Sequence, residues 1–320
     1  MKPDHLLQQI INGLTAGDIR TLSRAVTLVE SQLEEDQQTK LRLMKSIAAN
    51  RTPAVKIGIT GSPGVGKSTF LNGLVSFFED TPFRVAILTI DPSSIFTGGS
   101  ILGDKLRMKD LMNMDNVYVR TSPSKGTLGG INLTTWETVL LCEVAGFDYI
   151  FVETVGVGQS EIEVQFLVNE IWYLTMDRSG DEIQGIKRGI LEIADRIIVT
   201  KNDLDPEGAR QAQAVLMQSI KTRHTEEKEV AFYNVSSVIK ESLVPLFRDL
   251  KEINASPLSV EQTRFWFEKG WKESVIRLIN SDARLQQMYG RWLAEVESGA
   301  MDYWSAMEEL EKGLEELWRK

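Results

Sequence analysis

Residues 61–68 read Gly-Ser-Pro-Gly-Val-Gly-Lys-Ser, and a threonine follows at 69. Three glycines at this spacing let consecutive backbone N–H groups turn toward one point. A lysine and a hydroxyl close behind them add a mobile cation and an oxygen ligand. That is the Walker A spacing of a loop that cradles a nucleotide's phosphates. The candidate nucleotide-binding set here is Gly61, Ser62, Pro63, Gly64, Val65, Gly66, Lys67, Ser68 and Thr69. Lys67 would meet the β- and γ-phosphates as a catalytic cation, and Ser68 would offer its hydroxyl to Mg²⁺.

Three further stretches supply matching chemistry. Glu153 ends the apolar run Tyr149-Ile-Phe-Val. A carboxylate at the tip of a core strand is costly to desolvate unless a cation or donors meet it. Opposite the phosphate loop, that cation would be Mg²⁺ or its bound water. Gly156, three residues on, can bring its N–H to a γ-phosphate. Thr200-Lys201-Asn202-Asp203 closes the run Arg196–Val199. An aspartate there accepts from the N1–H and 2-amino groups of guanine, which adenine cannot provide, while Lys201 lays its methylene stem along the base. Ser236 and Ser237 fall at the close of the last apolar run, where a second purine-contacting loop belongs. Asp91-Pro-Ser-Ser and the glycine-rich Thr97–Met108 stretch, carrying Asp104 and Arg107, have the make-up of a switch loop.

Such groups need a frame, and short apolar runs provide it at Val55–Thr60, Arg84–Ile90, Val117–Thr121, Tyr149–Glu153, Ile171–Met176, Arg196–Lys201 and Val230–Ser236. Helical periods or loops separate them, the rhythm of a mostly parallel sheet with helices on both faces. In such a sheet ligands sit beyond the carboxyl ends of the strands, where the chemistry-bearing residues fall. The phosphate loop follows one run and precedes the helical stripe Phe70, Leu71, Leu74 and Val75. Residues 1–52 read as helices. Leu6, Leu7, Ile10, Ile11 and Leu14 make a first stripe, Asp18 caps a second helix with Leu22, Val26, Val29 and Leu33, and a third carries Leu41, Met44 and Ile47. Residues 53–256 form the nucleotide-binding domain. Residues 257–320 turn helical again and hold Trp266, Trp271, Trp292, Trp304 and Trp318, an apolar investment that needs a surface to cover, either its own domain or a second subunit, the latter making it a dimerisation arm.

Composition narrows the classes. The chain has 320 residues, 36 basic against 45 acidic, for a formal charge of −9. That balance argues against nucleic-acid binding, which rests on neutralising phosphates. No stretch approaches the roughly 18 apolar residues of a membrane span, and the first residues lack a signal-peptide pattern. One cysteine, Cys142, and two histidines, His5 and His224, are too few for a soft-metal cage and fit a reducing compartment. The expected location is the cytoplasm, with a mitochondrial matrix as the alternative.

The phosphate loop, Asp91–Ser94 with Thr97–Met108, Glu153-Thr-Val-Gly-Val-Gly-Gln-Ser160 and Gly180-Asp-Glu-Ile-Gln-Gly-Ile-Lys-Arg-Gly189 together resemble the ArgK/MeaB family of P-loop GTPases. The likeness runs from about Lys56 to Asp203. It implies GTP and GDP as ligands, Mg²⁺ as cofactor, and a chaperone role toward an adenosylcobalamin-dependent acyl-CoA mutase such as methylmalonyl-CoA mutase. It further implies a cobalamin adenosyltransferase in the same system and a homodimer through the C-terminal helices. By position, Asp91, Asp104 and Glu153 join Ser68 as Mg²⁺-site candidates, and Arg107 and Lys187 become candidates for stabilising charge on the transferring phosphoryl group. The chain departs from the family at Asn169–Ser179 and at Thr200, where asparagine is usual. Two other readings stand beside this one. An ATP-dependent kinase linked to amino-acid transport would need adenine selectivity, which Asp203 opposes. A metal-inserting GTPase would need the Cys/His site that the composition lacks.

Overall fold

The computed structural model of the protein describes residues 3–91, 108–123, 131–154, 160–176, 188–221 and 229–318. The chain forms two compact units, Met1–Gln262 and Thr263–Lys320.

The first unit is built on a sheet of β1 (Val55–Gly61), β2 (Val85–Asp91), β3 (Val117–Pro123), β4 (Tyr149–Glu153), β5 (Glu170–Thr175), β6 (Arg196–Val199) and β7 (Ala231–Asn234). The order is β3-β2-β4-β1-β5-β6-β7 and every pairing is parallel. The seven apolar runs therefore become the seven strands. β1 and β4 are buried at every position, as continuous apolar runs covered on both faces must be. Ile59 of β1 stands in register with Glu153 on one side and Trp172 on the other. That register ends β4 opposite Ile59, two residues before β1 ends at Gly61, while β5 runs on to Thr175.

Helices α1 (Pro3–Thr15), α2 (Ile19–Glu30) and α3 (Glu34–Ile47) precede the sheet. Between strands lie α4 (Lys67–Val75), α5 (Lys109–Met112), α6 (Leu133–Val144), α7 (Ser160–Glu163), α8 (Arg188–Ile193) and α9 (Pro206–Lys221), and α10 (Val244–Leu250) follows the last strand. One core joins Ile57 and Ile59 of β1 to Phe70 and Leu74 of α4, Phe151, Trp172, Leu246 and Leu250, all essentially without solvent exposure. α4 is thereby fixed under β1, and its first turn carries Lys67 and Ser68.

The N-terminal helices form a layer on this unit. Asp18 caps α2 as expected, its carboxylate accepting from the N–H groups of Arg20 at 3.3 Å and Thr21 at 2.9 Å. Bonds from the Thr21 hydroxyl and N–H hold that carboxyl below the usual range. Leu22, Val26 and Val29 are buried, but Leu33 lies beyond the end of α2 and is 59% exposed. On α3 the buried residues are Leu43 and Ile47, whereas Leu41 is 70% exposed. Leu41 and Leu43 are two positions apart, so one helix face cannot hold both. Lys40 pairs with Glu137 of α6 at 2.6 Å, Glu30 accepts from Arg120 and Ser122 of β3, and Arg84 donates to the Gly17 carbonyl at 2.8 Å.

The second unit comprises most of α11 (Val260–Ser281), with α12 (Ala283–Glu297) and α13 (Tyr303–Trp318). Asp282 caps α12, and Gly299 makes the turn toward α13 at φ 73°. Trp266, Leu285 and Trp292 are buried, while Phe267, Trp271, Leu278 and Trp304 are at least 60% exposed. Among the described residues no helix is long and apolar enough to cross a membrane.

Lys56 is the unexpected member of β1. It is 1% exposed and donates to Glu143 Oε1 at 2.9 Å, to the Ala54 carbonyl at 3.0 Å and to the Ser256 carbonyl at 2.8 Å. All three ammonium protons thus have acceptors at the end of β1 remote from the phosphate loop. Removing one partner of a buried pair leaves a desolvated charge behind. Glu143→Leu should therefore cost about 3–5 kcal/mol of stability, and adding Lys56→Met should recover most of it. Urea denaturation reads both, and a double variant no more stable than the single one would deny the pair this role.

Candidate functional site

β1 ends at Gly61, whose φ is 147°; a Cβ built there would lie 2.3 Å from the Leu174 carbonyl oxygen of β5. Only glycine lets the chain leave the sheet so close to its neighbour. The loop then runs to Gly66, φ 97°, which is the residue before α4. Phe70 N–H bonds back to the Gly66 carbonyl at 2.8 Å, so the helix starts immediately after the last loop glycine. The amino end of α4, with its unsatisfied N–H groups and positive dipole end, faces the loop. Lys67 is 8% exposed, and its ammonium lies 2.7 Å from the Gly61 carbonyl and 3.3 Å from that of Ser62. The cation is folded over the loop that would hold phosphates.

Ser68 Oγ donates to Glu153 Oε1 at 3.0 Å. Glu153 is 8% exposed at the end of β4, adjacent in the sheet to β1. Thr154 N–H bonds to the Ile59 carbonyl at 2.9 Å and fixes the exit of β4 against β1. The sequence pairs these two groups around a cation, and the structure brings them together. Both donors are hard oxygens, one anionic, a set suited to Mg²⁺. Asp91 ends β2, next to β4. Asp104, Arg107, Gly156 and Lys187 lie outside the described residues.

Thr200-Lys201-Asn202-Asp203 follows β6. The expected run to Lys201 stops at Val199 because the chain turns there: Lys201 has φ 59°, the only positive value at a non-glycine among the described residues. Lys201 Nζ donates to the Gly64 carbonyl at 3.0 Å. Thr200 is 1% exposed, with Oγ1 2.8 Å from the Val65 carbonyl and 3.1 Å from that of Thr175. Asn202 N–H bonds to the Val235 carbonyl at 3.1 Å, tying the turn to the exit of β7. Asp203 is exposed beyond it. The Ser236 hydroxyl, 1% exposed, accepts from the N–H groups of Val238 and Ile239, and Ser236 N–H donates to Ser242 Oγ at 2.8 Å. Ser237 turns its carbonyl toward Gly73 of α4. Sequence reasoning treats Thr200 as a mismatch; the structure places it at the junction of the two loops. The clue was its position at the end of an apolar run, where a side chain is buried.

Cys142 is wholly buried on α6, and desolvation pushes its thiol far up, so no reactive thiolate exists there.

A family described as methylmalonyl Co-A mutase-associated GTPase MeaB matches residues 22–277. A probable GTPase of Mycobacterium tuberculosis is 47% identical over 200 residues, covering 62% of this chain and 60% of that protein. The chain thus spans less than two thirds of the length of such relatives. A mouse protein described as methylmalonic aciduria type A homolog, mitochondrial, is 33% identical over 94% of this chain and 77% of its own. A crystal structure described as LAO/AO transport system kinase superposes with TM-score 0.65 at 26% identity, over 97% of both chains.

Lys67→Ala keeps the backbone cradle and removes its mobile charge. Turnover of a bound nucleoside triphosphate should fall on the order of 10²-fold or more. Turnover equal to the parent's at saturating nucleotide would remove the loop from the chemistry.

Proposed function

Because the chain belongs to the MeaB family of methylmalonyl-CoA mutase-associated GTPases, we propose that it binds GTP and hydrolyses it to GDP and phosphate at the tips of β1, β4 and β6. The observation that carries this reading is the Ser68–Glu153 bond beside Lys67, with Thr200 and Lys201 fastened to the same loop. Loop N–H groups and the start of α4 hold the β- and γ-phosphates. Lys67 moves from its carbonyl acceptors to the phosphate oxygens and follows the charge as the terminal phosphoryl group separates. Ser68 and Glu153, with Asp91 and Asp104, are the residues that would hold Mg²⁺, which when bound neutralises charge on the phosphate oxygens. Gly156 offers its N–H to the γ-phosphate, and water is the nucleophile. Arg107 and Lys187 supply further positive charge at the transferring group. Lys201 and Asp203 receive guanine, with Ser236 and Ser237 forming the loop beside it.

The proposed role of hydrolysis is gating: the protein acts as chaperone to an adenosylcobalamin-dependent acyl-CoA mutase, methylmalonyl-CoA mutase or a close relative, and controls its cofactor loading alongside a cobalamin adenosyltransferase. The family's description and the mouse relative's name support that partner class. Residues 53–256 carry the nucleotide chemistry and 1–52 form a supporting helical layer. Residues 257–320 make a homodimer, for which the exposed Phe267, Trp271 and Trp304 provide apolar surface. A cytoplasmic location suits the acidic, single-cysteine chain.

The similar structure described as LAO/AO transport system kinase is the ground for keeping an ATP-dependent kinase as a second reading, and base selectivity separates the two. Asp203→Asn should weaken GTP and favour xanthosine triphosphate, because the new amide donates where the carboxylate accepted. Polar pairs of this kind discriminate by up to roughly 10⁴-fold. A parent that takes ATP as tightly as GTP in competition titration would overturn the guanine assignment. Lys187→Ala should abolish most of the mutase-stimulated hydrolysis in single-turnover assays; full stimulation in the variant would leave Lys187 without a catalytic part.

A further inference from the structure

Two buried hydroxyls at the carboxyl ends of β1 and β4 take no part in the phosphate loop. Thr60 precedes Gly61 in β1, and Thr154 follows Glu153 at the exit of β4; both are essentially without solvent exposure. Register places them side by side. Ile59 pairs with Glu153, so the next residue on each chain stands on the opposite face of the sheet, Thr60 beside Thr154. Ile57 and Ile59 pack with Phe70 and Leu74 of α4. A Cβ at Gly58, by contrast, would meet Val164 at 2.8 Å and Val168 at 3.3 Å. Thr60, two residues after Gly58, therefore faces away from α4, on the side covered by the stretch that follows Glu153.

Among the described residues the Thr60 hydroxyl has no hydrogen-bond partner. The Thr154 hydroxyl donates to the Ile59 carbonyl at 3.4 Å, beyond the usual span of an O–H···O bond. That carbonyl already accepts the Thr154 N–H at 2.9 Å. A buried hydroxyl left unpaired is destabilising and needs a reason. Valine, common in strands covered on both faces, would fill the place without that cost. The same end of the sheet shows the bond a threonine pair makes when it closes. Thr89 of β2 and Thr121 of β3 stand in register and join their hydroxyls at 2.9 Å. Thr60 and Thr154 are such a pair left open. A small shift closes it: Thr60 O–H donates to Thr154 Oγ1 while Thr154 O–H keeps the Ile59 carbonyl, and both protons have acceptors. Thr154 is one peptide bond from Glu153, which accepts from Ser68 at 3.0 Å, and two residues before Gly156. A change at Glu153 is thus passed directly to this pair, and a closed pair fixes the direction in which the chain runs on.

We propose that Thr60 is a positioning residue for hydrolysis: with a nucleoside triphosphate bound, its hydroxyl bonds to Thr154 and sets the backbone that presents the Gly156 N–H to the γ-phosphate. The assignment rests on the guanine-nucleotide reading of the site. A diphosphate has no group there, so the hydroxyl serves the triphosphate alone and is idle in the nucleotide-free protein.

The experiment measures single-turnover GTP hydrolysis, GDP affinity and thermal unfolding without nucleotide on the full chain, for the parent, Thr60→Val and Thr60→Ser. Valine keeps the shape and removes the hydroxyl; serine keeps the hydroxyl. Loss of one hydrogen bond made only in the loaded site should slow hydrolysis at saturating GTP on the order of tenfold in Thr60→Val. Thr60→Ser should restore most of the rate. GDP affinity should stay at the parent's value in both variants. Nucleotide-free Thr60→Val should unfold at the parent's temperature or above it, because it no longer buries an unpaired hydroxyl. Thr60→Ala reads the same rates should the valine variant not fold. A parent-like rate in Thr60→Val or Thr60→Ala overturns the proposal. So does an equal loss of GDP affinity, or a lower unfolding temperature in Thr60→Val, either of which makes the hydroxyl merely structural. A parent that neither binds nor hydrolyses GTP overturns the guanine-nucleotide reading itself, and this proposal with it.

Discussion

Gly61 is the constraint on which the site depends. β1 is enclosed between β4 and β5, and the chain can leave its tip only by passing within van der Waals reach of the Leu174 carbonyl. That passage excludes any Cβ. It also places the Gly61 carbonyl where the Lys67 ammonium finds it, 2.7 Å away, and leaves seven residues to reach Ser68. The register of β1 with β4 then puts Glu153 beside Ser68, and the buried face of α4 holds Ser68 in place. A bulkier residue at 61 would move the loop off β5 and undo these contacts together.

The loop is also held from its far side. Thr200 and Lys201 reach it from β6, and Asn202 ties their turn to β7. Lys201 has an unfavourable positive φ, a strain of roughly 1 kcal/mol or more that neighbouring bonds must offset. The phosphate cradle is therefore braced by strands from both halves of the sheet. At the opposite end of β1, Lys56 is bound to Glu143 of α6 and to the Ser256 carbonyl. The central strand is thus fixed at both ends by polar contacts within an apolar core.

Much of this was legible in the sequence because glycine, lysine and serine at fixed spacing have few other uses, and because doubly covered strands read as unbroken apolar runs. The strands emerge in order, and Ser68 meets Glu153 as their chemistry requires. Long-range polar pairing was not legible. Nothing near Lys56 announces Glu143, 87 positions away, and nothing near Thr200 announces the Val65 carbonyl, 135 positions away. Within the α3 stripe Ile47 is buried as expected and Leu41 is not, because Leu41, Leu43, Met44 and Ile47 allow two faces and the packing against α1 and α2 selects Leu43 with Ile47. Nor were the bonds legible by which the Ser236 hydroxyl accepts from the N–H groups of Val238 and Ile239, which follow from the local turn.

The central claim is that one site, spanning the phosphate loop and the turn after β6, receives a single guanine nucleotide. A crystal structure of the full chain with Mg²⁺ and a slowly hydrolysed GTP analogue tests it most directly. The account predicts the terminal phosphates over the N–H groups of residues 64–69, the cation on Ser68, and the guanine edge on the Asp203 carboxylate. A nucleotide bound elsewhere, or one whose base turns away from Asp203 while its phosphates sit in the loop, would contradict it.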